Sequence, residues 1–176
     1  EALGGGTEKK KLFARDENAR REKADYKRFF QTENKHVVFY SEKSGFWKYF
    51  KDIVEELIKG SNLNIHYVTN DPKDQIFAYA EKQPRVIPYY IGPKKIITLM
   101  MKMDADIVVM TTPDLETFHI KKSYVRKDIE YIYTPHDPTS IHMGFREGAQ
   151  NHFDTIFCQG PQQIREMQRT EEIYSL

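Results

Sequence analysis

The chain has 176 residues, with 27 Lys or Arg against 26 Asp or Glu and a net charge of +1. This length supports one domain with a substantial core, and the near-zero charge argues neither for nor against a nucleic-acid or membrane partner. Its one cysteine, Cys158, excludes an internal disulfide and points to a reducing compartment.

The first residue is Glu1, so the chain reads as a processed piece, and residues 1–7 read as a flexible leader. Residues 8–35 change character. Lys9, Lys10, Lys11, Arg15, Arg20, Arg21, Lys23, Lys27, Arg28 and Lys35 outnumber the acids, and helix formers dominate. Phe13, Tyr26, Phe29 and Phe30 supply a thin apolar edge. This segment is expected to be a basic helical extension packed by its last turn on the domain. A second reading makes it a juxtamembrane segment attracted to an anionic membrane. It lacks the aromatic interleaving of a nucleic-acid stacking platform, so no nucleic-acid partner is expected. No apolar stretch approaches the roughly 20 residues that span a bilayer.

From residue 36 strands and helices alternate. His36–Tyr40 is the first predicted strand, and Ser41–Gly45 the turn after it. Phe46, Tyr49, Phe50, Ile53, Val54, Leu57 and Ile58 fall on one face of a helix that Lys59 and Gly60 close. Trp47 borders that face and reads as core. Ile65–Thr69 is a second strand, stopped by Asn70-Asp71-Pro72. A short helix over Asp74–Lys82 and a third strand over Arg85–Tyr90 follow. Pro88 removes a ladder donor, which places the third strand at a sheet edge. Gly92-Pro93 opens a helix through Met103, whose methionines read as core filler. Ile107–Thr111 and Glu130–Thr134 are the central strands. The first is apolar at four successive positions, the mark of a strand covered on both faces. Thr155–Cys158 is a last strand, with Cys158 read as a buried, inert thiol. Pro161 then starts a helix to about Thr170. The expected fold is α/β: a doubly wound, mostly parallel, six-stranded Rossmann-like sheet over residues 36–176.

In such sheets ligands bind outside the carboxyl ends of the strands. Thr111, Thr112, Asp114, His136 and Asp137 fall at that edge. There is no Gly-x-Gly-x-x-Gly, no Gly-Lys-Ser/Thr loop and no Gly-x-Ser-x-Gly elbow. The six histidines never take the spacing of a zinc helix, and neither a metal nor a cofactor is called for. His136 stands out, because a histidine at a strand's carboxyl end can take a proton from a hydroxyl nucleophile. Ser44 and Gly45 could touch an acceptor from the first turn, though a tight turn needs such residues anyway. Thr111, Thr112 and Asp114 read as cleft lining or as caps. Arg146 has the fork to grip a phosphate.

Several segments, in order and spacing, carry a resemblance. They are Val38-Phe39-Tyr40-Ser41-Glu42, Tyr67 to Asp74, Tyr90-Ile91-Gly92-Pro93-Lys94-Lys95, Met101 to Glu116, and Thr155 to Pro161. Together they resemble the amino-terminal half of the CDP-glycerol glycerophosphotransferase-like family, which builds polymers of teichoic-acid type. The resemblance implies a two-domain transferase of GT-B type whose first domain holds the acceptor. It implies a donor, CDP-glycerol, bound by a second domain, and a glycerol-phosphate or glycolipid acceptor. It implies His136 as general base, and a place at the cytoplasmic face of the membrane, peripheral or anchored by a segment outside this chain. The family follows that histidine with glycine. Here Asp137 follows, with added charge and bulk that alter loop shape and anion tolerance. The chain ends at Leu176, where the donor domain would begin, so these 176 residues alone are expected to be inactive. The other reading is a non-catalytic module that binds a phosphorylated glycopolymer or a protein.

Overall fold

The computed structural model describes residues 5–176, with side chains from Phe13 onward. Six strands form one sheet: β1 (Val37–Ser41), β2 (Ile65–Thr69), β3 (Val86–Tyr90), β4 (Ile107–Met110), β5 (Glu130–Tyr133) and β6 (Thr155–Ile156). The spatial order is β3-β2-β1-β4-β5-β6, and every neighbouring pair is parallel. The α/β, Rossmann-like class expected from the alternation is the one formed.

Alternate residues of each strand feed two separate cores. Phe39, Tyr67, Val109 and Ile132 face helix α2 (Trp47–Gly60) and α3 (Ile76–Lys82), where Trp47, Phe50, Val54 and Ile76 close the layer. Val38, Tyr40, Val68, Val108 and Met110 face the other way, onto Ile96, Leu99 and Met100 of α4 (Pro93–Met101). Burying each large apolar side chain contributes about 1.5–3 kcal/mol, which is why both faces of the sheet are covered. Met100, Met103 and Trp47 are core, as the sequence suggested, while Met101 is half-buried.

Helix α1 (Gly5–Gln31) does more than touch the domain by its last turn. From Arg21 onward it runs along β3, the sheet edge that Pro88 marks. Asp25 accepts from the Tyr90 amide at 2.9 Å, and Glu22 from the Gly92 amide at 2.9 Å. Arg28 donates to the Pro88 carbonyl at 2.5 Å and pairs with Asp25 at 2.8 Å. The edge strand's outward groups are thus met by side chains rather than left for another strand. Phe29, fully buried, carries the helix into the α4-side core. A Cβ at Gly92 would lie 2.7 Å from the Glu22 carboxylate, so glycine is what permits this approach. The expected leader falls partly outside the described residues; the backbone is helical from Gly5.

Several boundaries differ from the sequence reading, each for a local reason. Helix α3 starts at Ile76, not Asp74, because Asp74 stays outside as a cap. It accepts from the Ile76 amide at 3.1 Å and from the Thr69 hydroxyl at 2.7 Å. β4 stops at Met110 and α4 at Met101. β6 is only two residues long. Beyond it the Cys158 amide turns back to the Ile156 carbonyl at 3.2 Å, which ends the ladder. Cys158 is therefore half-buried rather than sealed in the core. Helix α6 (Pro161–Tyr174) runs a turn past Thr170 and ends at Ser175 in the left-handed conformation. A one-turn helix, α5 (Ile141–Gly144), follows the β5 loop and had no signal in the sequence.

Candidate functional site

The strand order fixes where a ligand site belongs. From β1 the sheet grows in one direction to β2 and β3, and from β4 in the other to β5 and β6. The loops leaving β1 and β4 therefore diverge to opposite sides and open a crevice between them. Ser41, Thr111 and Thr134 stand at the carboxyl ends of β1, β4 and β5.

His136 lies two residues past Thr134, half-buried at this rim. Its Nδ1 is 3.2 Å from the Thr111 carbonyl. A carbonyl only accepts, so Nδ1 is the donor in this contact, and the Nε2 position is the one left to take a proton. Two aromatic rings hold the imidazole: Phe46 at 4.9 Å and Tyr49 at 6.1 Å between centroids. Both had read as ordinary core positions of the α2 face. The geometry makes them supports for the histidine.

Asp137 is exposed, and its carboxylate accepts from the Thr139 amide at 3.1 Å in the next turn. Among the described residues the non-glycine positions with positive φ are Asn34, Asp114, Glu116 and Ser175. Position 137 is not one of them, so its backbone makes no demand for glycine. Ser44 is a tie between loops: its hydroxyl accepts from the Gln75 amide at 3.2 Å. Gly45 is exposed in the 3-10 turn Ser44–Phe46, with open space around it. These two residues fit the turn reading rather than a cleft.

Thr112 and Asp114 do line a cavity. It measures about 320 Å³ and sits on the α4 side of the crevice. Tyr40, Glu42, Asn70 and Phe118 join them there. Asn70 donates to the Tyr40 hydroxyl oxygen at 2.9 Å. Burial, with the Glu42 carboxylate adding to it, pushes the Tyr40 hydroxyl far up, so it stays a donor. Asp114 holds a left-handed backbone, φ 63°, pinned by its amide on the Ala149 carbonyl at 2.8 Å. Arg146 stands at the margin, its guanidinium 5.0 Å from the Phe118 ring centroid. It is exposed, as an anion contact at a cleft mouth would be.

Unmet polar atoms gather at the same edge. The hydroxyls of Thr111, Thr112, Thr134 and Tyr133 and Oδ1 of Asn70 are buried with no partner among the described residues. Each such group costs about 1–3 kcal/mol unless water or a ligand meets it. Thr111 is itself fully buried, so it serves through its carbonyl rather than as cleft lining.

No family model, curated protein or solved structure matches the chain. The chemistry has to be read from the side chains. Among the described residues no cluster of three or more His, Cys, Asp or Glu is placed to hold a metal ion. A larger cavity, about 820 Å³, lies away from the crevice, between β6 and α6. Its wall is Phe157, Ile164 and Met167 with Cys158 beside them, and burial pushes that thiol up, away from the reactive thiolate. The smaller cavity is the better ligand site, because polar groups converge on it at the switch point.

Sequence reading missed Tyr40, Glu42, Asn70 and Phe118. Tyr40 looked like strand, and Asn70 like a strand stop. One signal was available: residues just past the first strand border the crevice in any sheet of this order.

Proposed function

We propose that the chain is the acceptor-side lobe of a glycerophosphotransferase, with His136 as the general base. The observation that carries the reading is the contact of His136 Nδ1 with the Thr111 carbonyl, which selects the tautomer. Nδ1 is held on the Thr111 carbonyl, so Nε2 presents a lone pair from a ring clamped by Phe46 and Tyr49. A base needs no more than that: an acceptor for the proton, held at the mouth of a ligand crevice.

In the proposed step Nε2 takes the proton of an acceptor hydroxyl. The freed oxygen attacks the β-phosphorus of CDP-glycerol, forming one P–O bond. The P–O bond to the bridging oxygen breaks, and CMP leaves with that electron pair. The glycerol phosphate stays on the acceptor. The donor and the groups that stabilise its phosphates belong to the second lobe. Removing the base would lower the rate by about 10²–10⁴. On the same reading the exposed Phe13, Arg15, Arg20, Lys23 and Lys27 of α1 turn toward an anionic membrane at its cytoplasmic face.

The test is a titration followed on the NMR signals of labelled histidine side chains. A glycerol-phosphate oligomer is expected to shift His136, and CDP-glycerol alone is not. If the oligomer leaves His136 unmoved, the acceptor reading fails, and a protein-binding module takes its place.

A further inference from the structure

The proposed acceptor site has a chemical character that the histidine does not specify. Its cavity is acidic and mixed. Glu42 and Asp114 are the carboxylates on its wall, His119 is its one imidazole, and no Lys or Arg lies among the residues lining it. Asn70 and Thr112 each bring a buried polar atom with no partner. Tyr40 has its oxygen engaged by Asn70 and its hydrogen free to donate. Ile96, Ile97 and Ile120 provide apolar wall, and Phe118 an aromatic face.

A phosphate does not suit such a wall. Two carboxylates outweigh the one imidazole of His119, and the first two positions of the adjoining helix terminus offer no free amide. At the start of α4, the Gly92 amide donates to Glu22 at 2.9 Å, and Pro93 has no amide hydrogen. A bare cation would leave the Tyr40 hydrogen and the apolar face unused. A neutral polyol uses both the polar and the apolar wall. Its hydroxyl pairs donate to Glu42, Asp114 and Asn70, its oxygens accept from Tyr40, and its C–H face lies on Phe118 and the isoleucines.

We infer that the Tyr40–Glu42–Asn70–Thr112–Asp114 cavity binds a neutral polyhydroxylated group, a glycerol or sugar terminus, and excludes phosphate. The volume, about 320 Å³, accommodates a group of that size. Under the proposed function this group is the acceptor's end. Thr112 lines the cavity while its neighbour Thr111 holds His136, which brings the polyol and the base to the same turn. The phosphates of such an acceptor then trail past the mouth, where Arg146 stands over Phe118. The inference rests on the transferase reading for the purpose of the bound group, not for its binding.

The experiment is an amide-shift titration of the ¹⁵N-labelled chain. The probes are glycerol and methyl glucopyranoside, taken above about 10 mM so that millimolar affinities show. Inorganic phosphate and ethanolamine are the controls. Shifts at Asn70, Thr112 and Asp114 with either polyol, and none with the controls, are the expected result. Asp114→Asn should weaken the polyol about tenfold, since an amide accepts less strongly than a carboxylate. Asparagine tolerates the left-handed backbone as well as aspartate, so the fold is kept. Ile97→Trp, which fills the cavity, should abolish the shifts. The inference is overturned if neither polyol moves these amides, or if phosphate or ethanolamine moves them. It is equally overturned if Ile97→Trp leaves the polyol shifts intact. His136→Gln should not affect the polyol titration. A silent His136 with glycerol-phosphate oligomer therefore sinks the transferase reading, and silent cavity amides sink this one.

Discussion

Replacing His66 with asparagine should remove a specific acid sensitivity of the fold. His66 is the second residue of β2 and only 1% exposed, with Nδ1 3.1 Å from the Tyr89 hydroxyl. Burial, assisted by the charges of Lys35, Arg28 and His36, holds its pKa down to about 4. An unfolded histidine titrates near 6.5. The folded state thus refuses a proton that the unfolded state accepts. The neutral ring's contribution is complete above about pH 6.5 and is lost as pH falls toward about 4. A gap of about 2.5 pKa units corresponds to about 3 kcal/mol, a large part of the roughly 5–15 kcal/mol that holds a domain together. Asparagine places a polar atom near the position of Nδ1 but cannot titrate. Its poorer strand propensity shifts stability by an amount that does not depend on pH. The assay is urea unfolding of both proteins from about pH 7 down to about pH 4.5. Buried Asp74, whose pKa is raised mainly by burial, gains stability as pH falls and opposes His66. The difference between the two proteins cancels that contribution. It should narrow, or change sign, by about 2.4 kcal/mol across the range, the rest of the gap lying below about pH 4.5. Parallel stability curves for the two proteins would refute the reasoning.

The clamp on the sheet edge yields two further expectations. Asp25→Ala strips the partner from the Tyr90 amide and from Arg28. It should cost about 2–3 kcal/mol in denaturant unfolding, because a charged acceptor serves two donors. A loss within about 0.5 kcal/mol, the range of ordinary surface changes, would mean that α1 does not secure β3. Gly92→Ala should cost about 1 kcal/mol, by pushing the Glu22 carboxylate off the Gly92 amide. The backbone there, φ −66°, suits alanine, so in a Glu22→Ala background the same substitution should be neutral. Equal costs in both backgrounds would place the effect elsewhere.

By itself the sequence determined the architecture. Alternating short β-branched runs and amphipathic stretches left few arrangements other than a covered parallel sheet. The four apolar residues Ile107–Met110 demanded cover on both faces; Val108, Val109 and Met110 are buried and Ile107 half-buried. Pro88 declared its strand an edge, since it cannot donate to a ladder on both sides. The position of His136 just past a strand end was also legible. Tertiary structure decided what that histidine touches. Its tautomer depends on the carbonyl of Thr111, 25 residues away in sequence. The cavity draws Tyr40, Asn70 and Thr112 from the ends of three different strands. Neighbours in a parallel sheet are separated by whole crossover connections, so no local pattern records which loops will meet. The edge clamp was hidden for the same reason. Glu22, Asp25 and Arg28 look like solvated helix charges until β3, some 65 residues on, is laid beside them.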